Sequence, residues 1–184
     1  SSSVCTPSRY ALLTGRYNWR SRLQSGVTQG DADPLIAENR LTLPALFRGQ
    51  GYHTAIVGKW HLNYNYQVQK GAEIDPKHAT DKAYKTAGKP VGTVVPDGPI
   101  TRGFDTFYGF HHARSMSSIV RDDRIVEELP TIEILPALTR EAVAYIDAKS
   151  SDATSGKPFF LYFPMSSPHT PIVPSPEWQG KSEL

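Results

Sequence analysis

Apolar positions in this chain fall into short blocks set between long polar stretches, and each block carries its own period. Ala11, Leu12 and Leu13 follow Thr6 and Pro7 and precede Gly15, an order that predicts a helix opening at or just after Cys5 and stopping at Gly15. Leu43 to Gln50 predicts a second short helix. Thr42 suits its N-cap, Pro44 is tolerated in its first turn, and Gly49 and Gly51 are stop signals. His53 to Val57 has a β-branched centre and reads as a strand. Residues 64–101 are polar, rich in Gly, Lys and Pro and without sustained period; they predict a long loop or insertion, with a short helix near Thr80 to Thr86. Phe104 and Phe107 predict a buried strand or tight turn. Ile119-Val120 and Ile125-Val126 bracket a polar tip at Asp122-Asp123, the pattern of a hairpin. Leu138 to Lys149 has helical spacing, with Val143, Ile146, Leu138 and Ala142 as its inner face. Phe159 to Phe163 is a continuous apolar run suited to a buried parallel strand. Helix, short loop, strand is half of a βαβ unit, so the pattern predicts an α/β fold with a mainly parallel sheet flanked by helices.

Composition narrows the function classes. Across 184 residues, 20 Lys and Arg stand against 18 Asp and Glu, a formal charge of +2 that gives no basic footprint for nucleic acid. No stretch has the apolar length of a membrane span. A single cysteine excludes an intrachain disulfide framework. The chain shows no signal peptide, internal repeat or domain boundary; it opens on Ser1-Ser2-Ser3, immediately before Cys5, so an upstream leader could simply be missing.

The chemistry-bearing residues are few. A lone thiol is commonly a small buried hydrophobe, but Cys5 is placed at a helix start, where orphan amides and the helix dipole favour an anion. Arg9 lies one turn further on and can reach the same spot. Lys59 and His61 follow the His53 strand and, two apart, share a face in an extended segment. Strand C-terminal ends are where open α/β sheets build sites. Lysine supplies a fixed charge for an anionic ester, and histidine exchanges a proton near neutral pH. His169 follows the Phe159 strand, with Pro168 and Pro171 restricting its backbone. His111, His112 and Arg114 either line a substrate mouth or are solvated loop residues. Asp122 and Asp123, flanked by Arg121 and Arg124, read as a turn and not as metal ligands.

The run Cys5-Thr6-Pro7-Ser8-Arg9 with Thr14-Gly15-Arg16 resembles the first signature of the type I sulfatases, in the alkaline-phosphatase-like superfamily. Gly51 to His61, with Gly58-Lys59-Trp60-His61 at its end, resembles the second. The apolar strand leading into Pro168-His169-Thr170-Pro171, and the Gly103-Phe104-Asp105 segment, are similar to further family features. The resemblance implies that a separate maturation enzyme reads Cys-x-Pro-x-Arg and oxidises Cys5 to formylglycine. One hydroxyl of the hydrated aldehyde then attacks sulfur, and the second loses its proton as sulfate leaves. Arg9 and Lys59 would hold the hydrate and the sulfate oxygens. His61 would take the second proton, and His169 would hold or protonate the leaving oxygen. Lys59 and His169 thus also bind substrate, with His111 and His112 as candidates at the rim.

The family binds a divalent cation, usually calcium. The resemblance makes Cys5, as formylglycine, one of its ligands and places the others outside this chain, since the family polypeptide is much longer. Residues 1–184 are therefore expected to be part of a sulfatase catalytic domain, inactive alone. The family implies a sulfated small molecule or carbohydrate as substrate and a periplasmic, secreted or lysosomal setting. A phosphonate or phosphate ester hydrolase of the same superfamily, or a nonenzymatic remnant without metal, are the other readings.

Overall fold

The computed structural model describes residues 3–28, 31–71 and 88–182; the short helix expected near Thr80 to Thr86 lies outside them. Five strands form one mixed sheet in the order β4-β3-β2-β1-β5. β1 (His53–Lys59) is flanked by β2 (Thr106–Phe110) and β5 (Phe159–Tyr162), both parallel to it. β3 (Ser118–Arg121) and β4 (Arg124–Glu128) complete an antiparallel hairpin on the β2 side. Its turn is the one the sequence predicts. Asp122 sits at φ 56 and its carboxylate accepts the Phe107 N–H at 2.9 Å, so the side chain is spent on the turn and its neighbour strand.

Among the described residues three α-helices cover the sheet: α1 (Cys5–Thr14), α2 (Leu43–Gly49) and α3 (Thr131–Thr154). The period-2 alternation of β1 and β2 sends side chains into two separate cores. Ile56 and Phe107 join Tyr10 and Leu13 of α1, with Trp60, Leu62 and Phe104, in the first. Val57 and Tyr108 join Ile134, Leu138 and Ala142 of α3 in the second. β1 is thus covered on both faces, and its central Ala55-Ile56-Val57 is apolar without alternation.

Local signals explain the helix ends. Thr42 caps α2 by accepting the Ala45 N–H at 3.3 Å, and Pro44 occupies its first turn. Gly15 closes α1 in the left-handed conformation at φ 66. Thr6 does not cap α1. The helix begins at Cys5 with Val4 in the N-cap position, and the Thr6 hydroxyl is used in tertiary contacts instead.

Two expectations are corrected. α3 spans Thr131–Thr154, not Leu138 to Lys149, because Pro136 is accommodated within it. Its inner face is Ile134, Ala137, Leu138 and Ala142, whereas Val143 and Ile146 are exposed at 52% and 42%. The apolar stripe that the sequence offers is wider than the surface it packs on. β5, expected to be buried, is half-buried along its whole length, because it pairs only with β1 at the edge of the sheet.

Glycines let the strands approach where the site is built. A Cβ at Gly58 would stand 2.5 Å from the Pro164 carbonyl oxygen, and one at Gly109 would be driven into the Gly58 carbonyl. These are backbone contacts that no rotamer change relieves. Gly109→Ala is expected to lower stability by at least about 3 kcal/mol, the upper range of core overpacking. Thermal denaturation against the unsubstituted protein checks this; an unchanged midpoint would show that the β1–β2 spacing is not fixed by these glycines.

Candidate active site

The C-terminal end of β1 is tied on one side to the segment that follows β5 and on the other to the end of β2. Lys59 donates its N–H to Pro164 O at 2.9 Å, Trp60 to Phe110 O at 2.9 Å and His61 to His111 O at 2.7 Å. This fixes Lys59, His61, His111 and His112 around one point. The start of α1 meets the same point. Arg9, one turn into that helix, donates from Nη1 to the Lys59 carbonyl at 2.5 Å and to the Tyr162 hydroxyl at 3.4 Å. Cys5 is half-buried at the first residue of α1, close enough that a thiolate there would favour the charged form of Lys59.

The electrostatics are unusual for a protein interior. Lys59 is only 2% exposed. Burial lowers its pKa from the usual lysine value, Cys5 acts to raise it, and Arg9 lowers it further. Among the described residues no carboxylate pairs with Lys59 or with Arg9. Two cations converge on a strand end without a counter-ion, a place that gains by taking up an anion.

Three histidines line the same region. Ring centroids of His61 lie 5.8 Å from both His111 and His112, and those two rings are 4.8 Å apart. His111 is 1% exposed, and neither ring nitrogen has a hydrogen-bond partner among the described residues. His112 is 9% exposed and its Nδ1 lies 3.2 Å from Ser115 Oγ. Sequence left these two open between a substrate mouth and a solvated loop; the structure buries both. The pKa of His61 is lowered to about 3, by burial first and then by Lys59, while His111 lies well below the ordinary histidine value for the same first reason. Both rings are neutral at physiological pH.

This has a consequence for acid stability. The folded pKa of His61 lies below its unfolded value of about 6.5, so between about 6.5 and about 3 the unfolded chain binds a proton that the folded one does not. The His61 contribution is intact above that window and declines as pH falls through it, by about 1.4 kcal/mol per pH unit. His111 acts in the same direction. Denaturant titrations from pH 7 down to pH 4 are expected to show a shallower loss for His111→Gln than for the unsubstituted protein. Equal slopes would mean that His111 is not held neutral.

His169 is placed differently. It is exposed, its Nδ1 lies 2.7 Å from Thr170 O, and both X-Pro bonds beside it are cis. It lines an apolar groove of about 570 Å³ formed with Ile132, Leu135 and Trp178 along the start of α3. None of its contacts among the described residues joins it to the Cys5 group. Three contributors escaped sequence reasoning: Tyr162, which accepts from Arg9, and Thr6 and Thr28, whose hydroxyls both reach the His61 carbonyl. Only the position of Thr6 inside the Cys5 motif could have drawn attention to it.

Among the described residues no group of three His, Cys, Asp or Glu side chains is placed to hold a metal ion. The described residues do not by themselves form the cation site that the resemblance implies. No helix among them is long and apolar enough to cross a membrane.

Known proteins are similar to this chain in sequence and fold. A sequence model of the sulfatase family matches residues 1–183. An N-acetylgalactosamine-6-O-sulfatase of Bacteroides thetaiotaomicron is 26% identical over 226 aligned residues, covering all of this chain and 42% of that protein. Bovine arylsulfatase A is 31% identical, over 98% of this chain and 35% of its own length. A solved structure from the glycosaminoglycan locus of B. thetaiotaomicron superposes with a TM-score of 0.73 at 20% identity, covering 97% of this chain and 44% of that one. The chain therefore spans well under half the length of these relatives, and the shared architecture is that of the alkaline-phosphatase-like fold.

Proposed function

The chain belongs to the sulfatase family, and on that premise we propose that it carries the nucleophile segment of a sulfuric ester hydrolase, with Cys5 as the precursor of formylglycine. The observation that carries the reading is the pair of cations, Arg9 and Lys59, set beside Cys5 with no carboxylate partner among the described residues. A sulfate monoester supplies the missing negative charge. The hydrated aldehyde supplies the attacking oxygen. Arg9, tied to the Lys59 carbonyl and to Tyr162, holds that oxygen and one sulfate oxygen in place, and Lys59 neutralises the charge that builds on the ester. His61 takes a proton from the hydroxyl left on residue 5. His111 and His112 wall the pocket and exclude water. The groups that complete a divalent cation site are assigned to polypeptide beyond these residues, so residues 1–184 alone are expected to show no turnover.

His169 is assigned to the leaving oxygen. Its support is topological: β5 is parallel to β1, so the segment after it emerges at the same end of the sheet as Lys59 and His61. His169→Ala in the complete polypeptide is expected to reduce kcat by about 10²–10⁴-fold on alkyl sulfates, with a smaller loss on aryl sulfates, whose leaving groups need less protonation. Equal losses on both would remove His169 from that role.

The relative named for N-acetylgalactosamine 6-O-sulfate favours a sulfated sugar as the substrate class. The test is a rate comparison in the complete polypeptide, produced with a formylglycine-generating enzyme. Hydrolysis of 6-O-sulfated N-acetylgalactosamine or an aryl sulfate faster than of the matched phosphate esters is the expected result. A preference for phosphate or phosphonate esters would assign the site to phosphorus chemistry instead.

A further inference from the structure

We propose that Thr6 and Thr28 are positioning residues for His61: they clasp its backbone in a left-handed turn and fix which ring nitrogen stays bare. The inference rests on the reading of His61 as a proton acceptor. His61 has φ 54, a left-handed conformation that a residue other than glycine keeps only where its surroundings impose it. The surroundings do so from both sides. Its N–H donates to His111 O at 2.7 Å. Its carbonyl accepts two hydroxyls, Thr6 Oγ1 and Thr28 Oγ1, each at 3.1 Å, which fills both lone pairs. The Thr28 N–H in turn donates to Thr6 Oγ1 at 3.3 Å, locking the two threonines to each other. Both are buried, at 0% and 5% exposure.

The ring is fixed by the same residue. His61 Nε2 lies 3.0 Å from the Thr28 carbonyl, which can only accept, so Nε2 carries the hydrogen. Nδ1 of the neutral ring then holds a free lone pair, and it is buried without a hydrogen-bond partner among the described residues. Thr28 thus sets both the backbone and the tautomer. Thr6 directly follows Cys5 in the first turn of α1, so the clasp also ties the residue bearing the nucleophile to the residue bearing the base. Neither threonine touches the reacting atoms. The proton would pass from a hydroxyl on residue 5 to Nδ1, breaking an O–H bond and forming an N–H bond; the electron pair left on oxygen would re-form the carbonyl of residue 5 as its C–O bond to sulfate breaks, and the proton would return to solvent water.

The test removes each hydroxyl at nearly constant shape. Thr6→Val, Thr28→Val and the double variant are made in the complete polypeptide, and serine is placed at each position as the rescue. Because Thr6 lies inside the maturation motif, the aldehyde content of every variant is measured by mass and rates are expressed per aldehyde. The expected result is a loss of kcat of about tenfold or more in each valine variant with KM held within about twofold, and recovery to within about threefold by serine. A ring-nitrogen NMR spectrum of histidine-labelled protein, with His61 identified from His61→Gln, is expected to show the neutral Nε2–H form in the parent. A double valine variant within about twofold of the parent kcat, serine variants no better than valine, or an Nδ1–H form in the parent would each overturn the proposal. A parent that hydrolyses no sulfate ester would refute the functional reading alone, since the ring spectrum reports the clasp without any turnover.

Discussion

Replacing Cys5 by alanine is expected to abolish ester hydrolysis in the complete polypeptide, with a loss of about 10⁴-fold or more in kcat. An alanine leaves Arg9, Lys59 and the histidines in place, so the substrate still meets a cationic pocket. What disappears is the only oxygen able to displace the ester, because a methyl side chain can be neither oxidised to an aldehyde nor hydrated. Binding should survive. KM, or the inhibition constant of inorganic sulfate, should change by less than about tenfold, while kcat falls to background. Turnover of Cys5→Ala within about a hundredfold of the parent would mean that another group attacks sulfur.

Lys59→Ala is expected to reduce kcat/KM by about 10²–10³-fold, the scale of one removed donor at developing charge. The loss has a pH signature that separates it from simple unfolding. Burial lowers the pKa of Lys59, so the ammonium is lost at a pH below the ordinary lysine value of 10.5. Activity should therefore fall on the alkaline side before that pH is reached, since only the charged form neutralises the ester. Lys59→Arg should retain part of the rate and move that alkaline limb upward, because a guanidinium stays charged across the range. A Lys59→Ala enzyme of near-normal rate, or an alkaline limb unmoved by arginine, would exclude Lys59 from charge stabilisation.

Much of this was legible in the sequence where local physics decides. The stop of the Cys5 helix at Gly15, the Thr42 cap, the β1 strand and the hairpin turning at Asp122-Asp123 are all set by neighbours in sequence, and each appears where the local pattern puts it. The contact of Arg9 with the Lys59 carbonyl joins a helix start to a strand end, both of which carry motif residues. What sequence could not supply depends on partners distant in the chain. The wide apolar stripe of α3 does not say which residues face the sheet, so Val143 and Ile146 were assigned inward and are exposed. The four apolar residues of β5 do not say that the strand has a neighbour on one side only. The burial of His111 and His112 follows from strand β2 carrying them under the Tyr64 and His61 rings, a contact between segments about 50 residues apart. Thr28 is undistinguished in its own neighbourhood; its importance comes from the carbonyl of residue 61.

The account turns on what residue 5 becomes. The most direct measurement is the mass of the peptide containing it, taken from the complete polypeptide produced together with a formylglycine-generating enzyme. A species about 18 Da lighter than the cysteine form, reactive toward a hydrazide, is the expected result. A peptide that keeps its free thiol, in a protein that nonetheless hydrolyses sulfate esters at full rate, would contradict it.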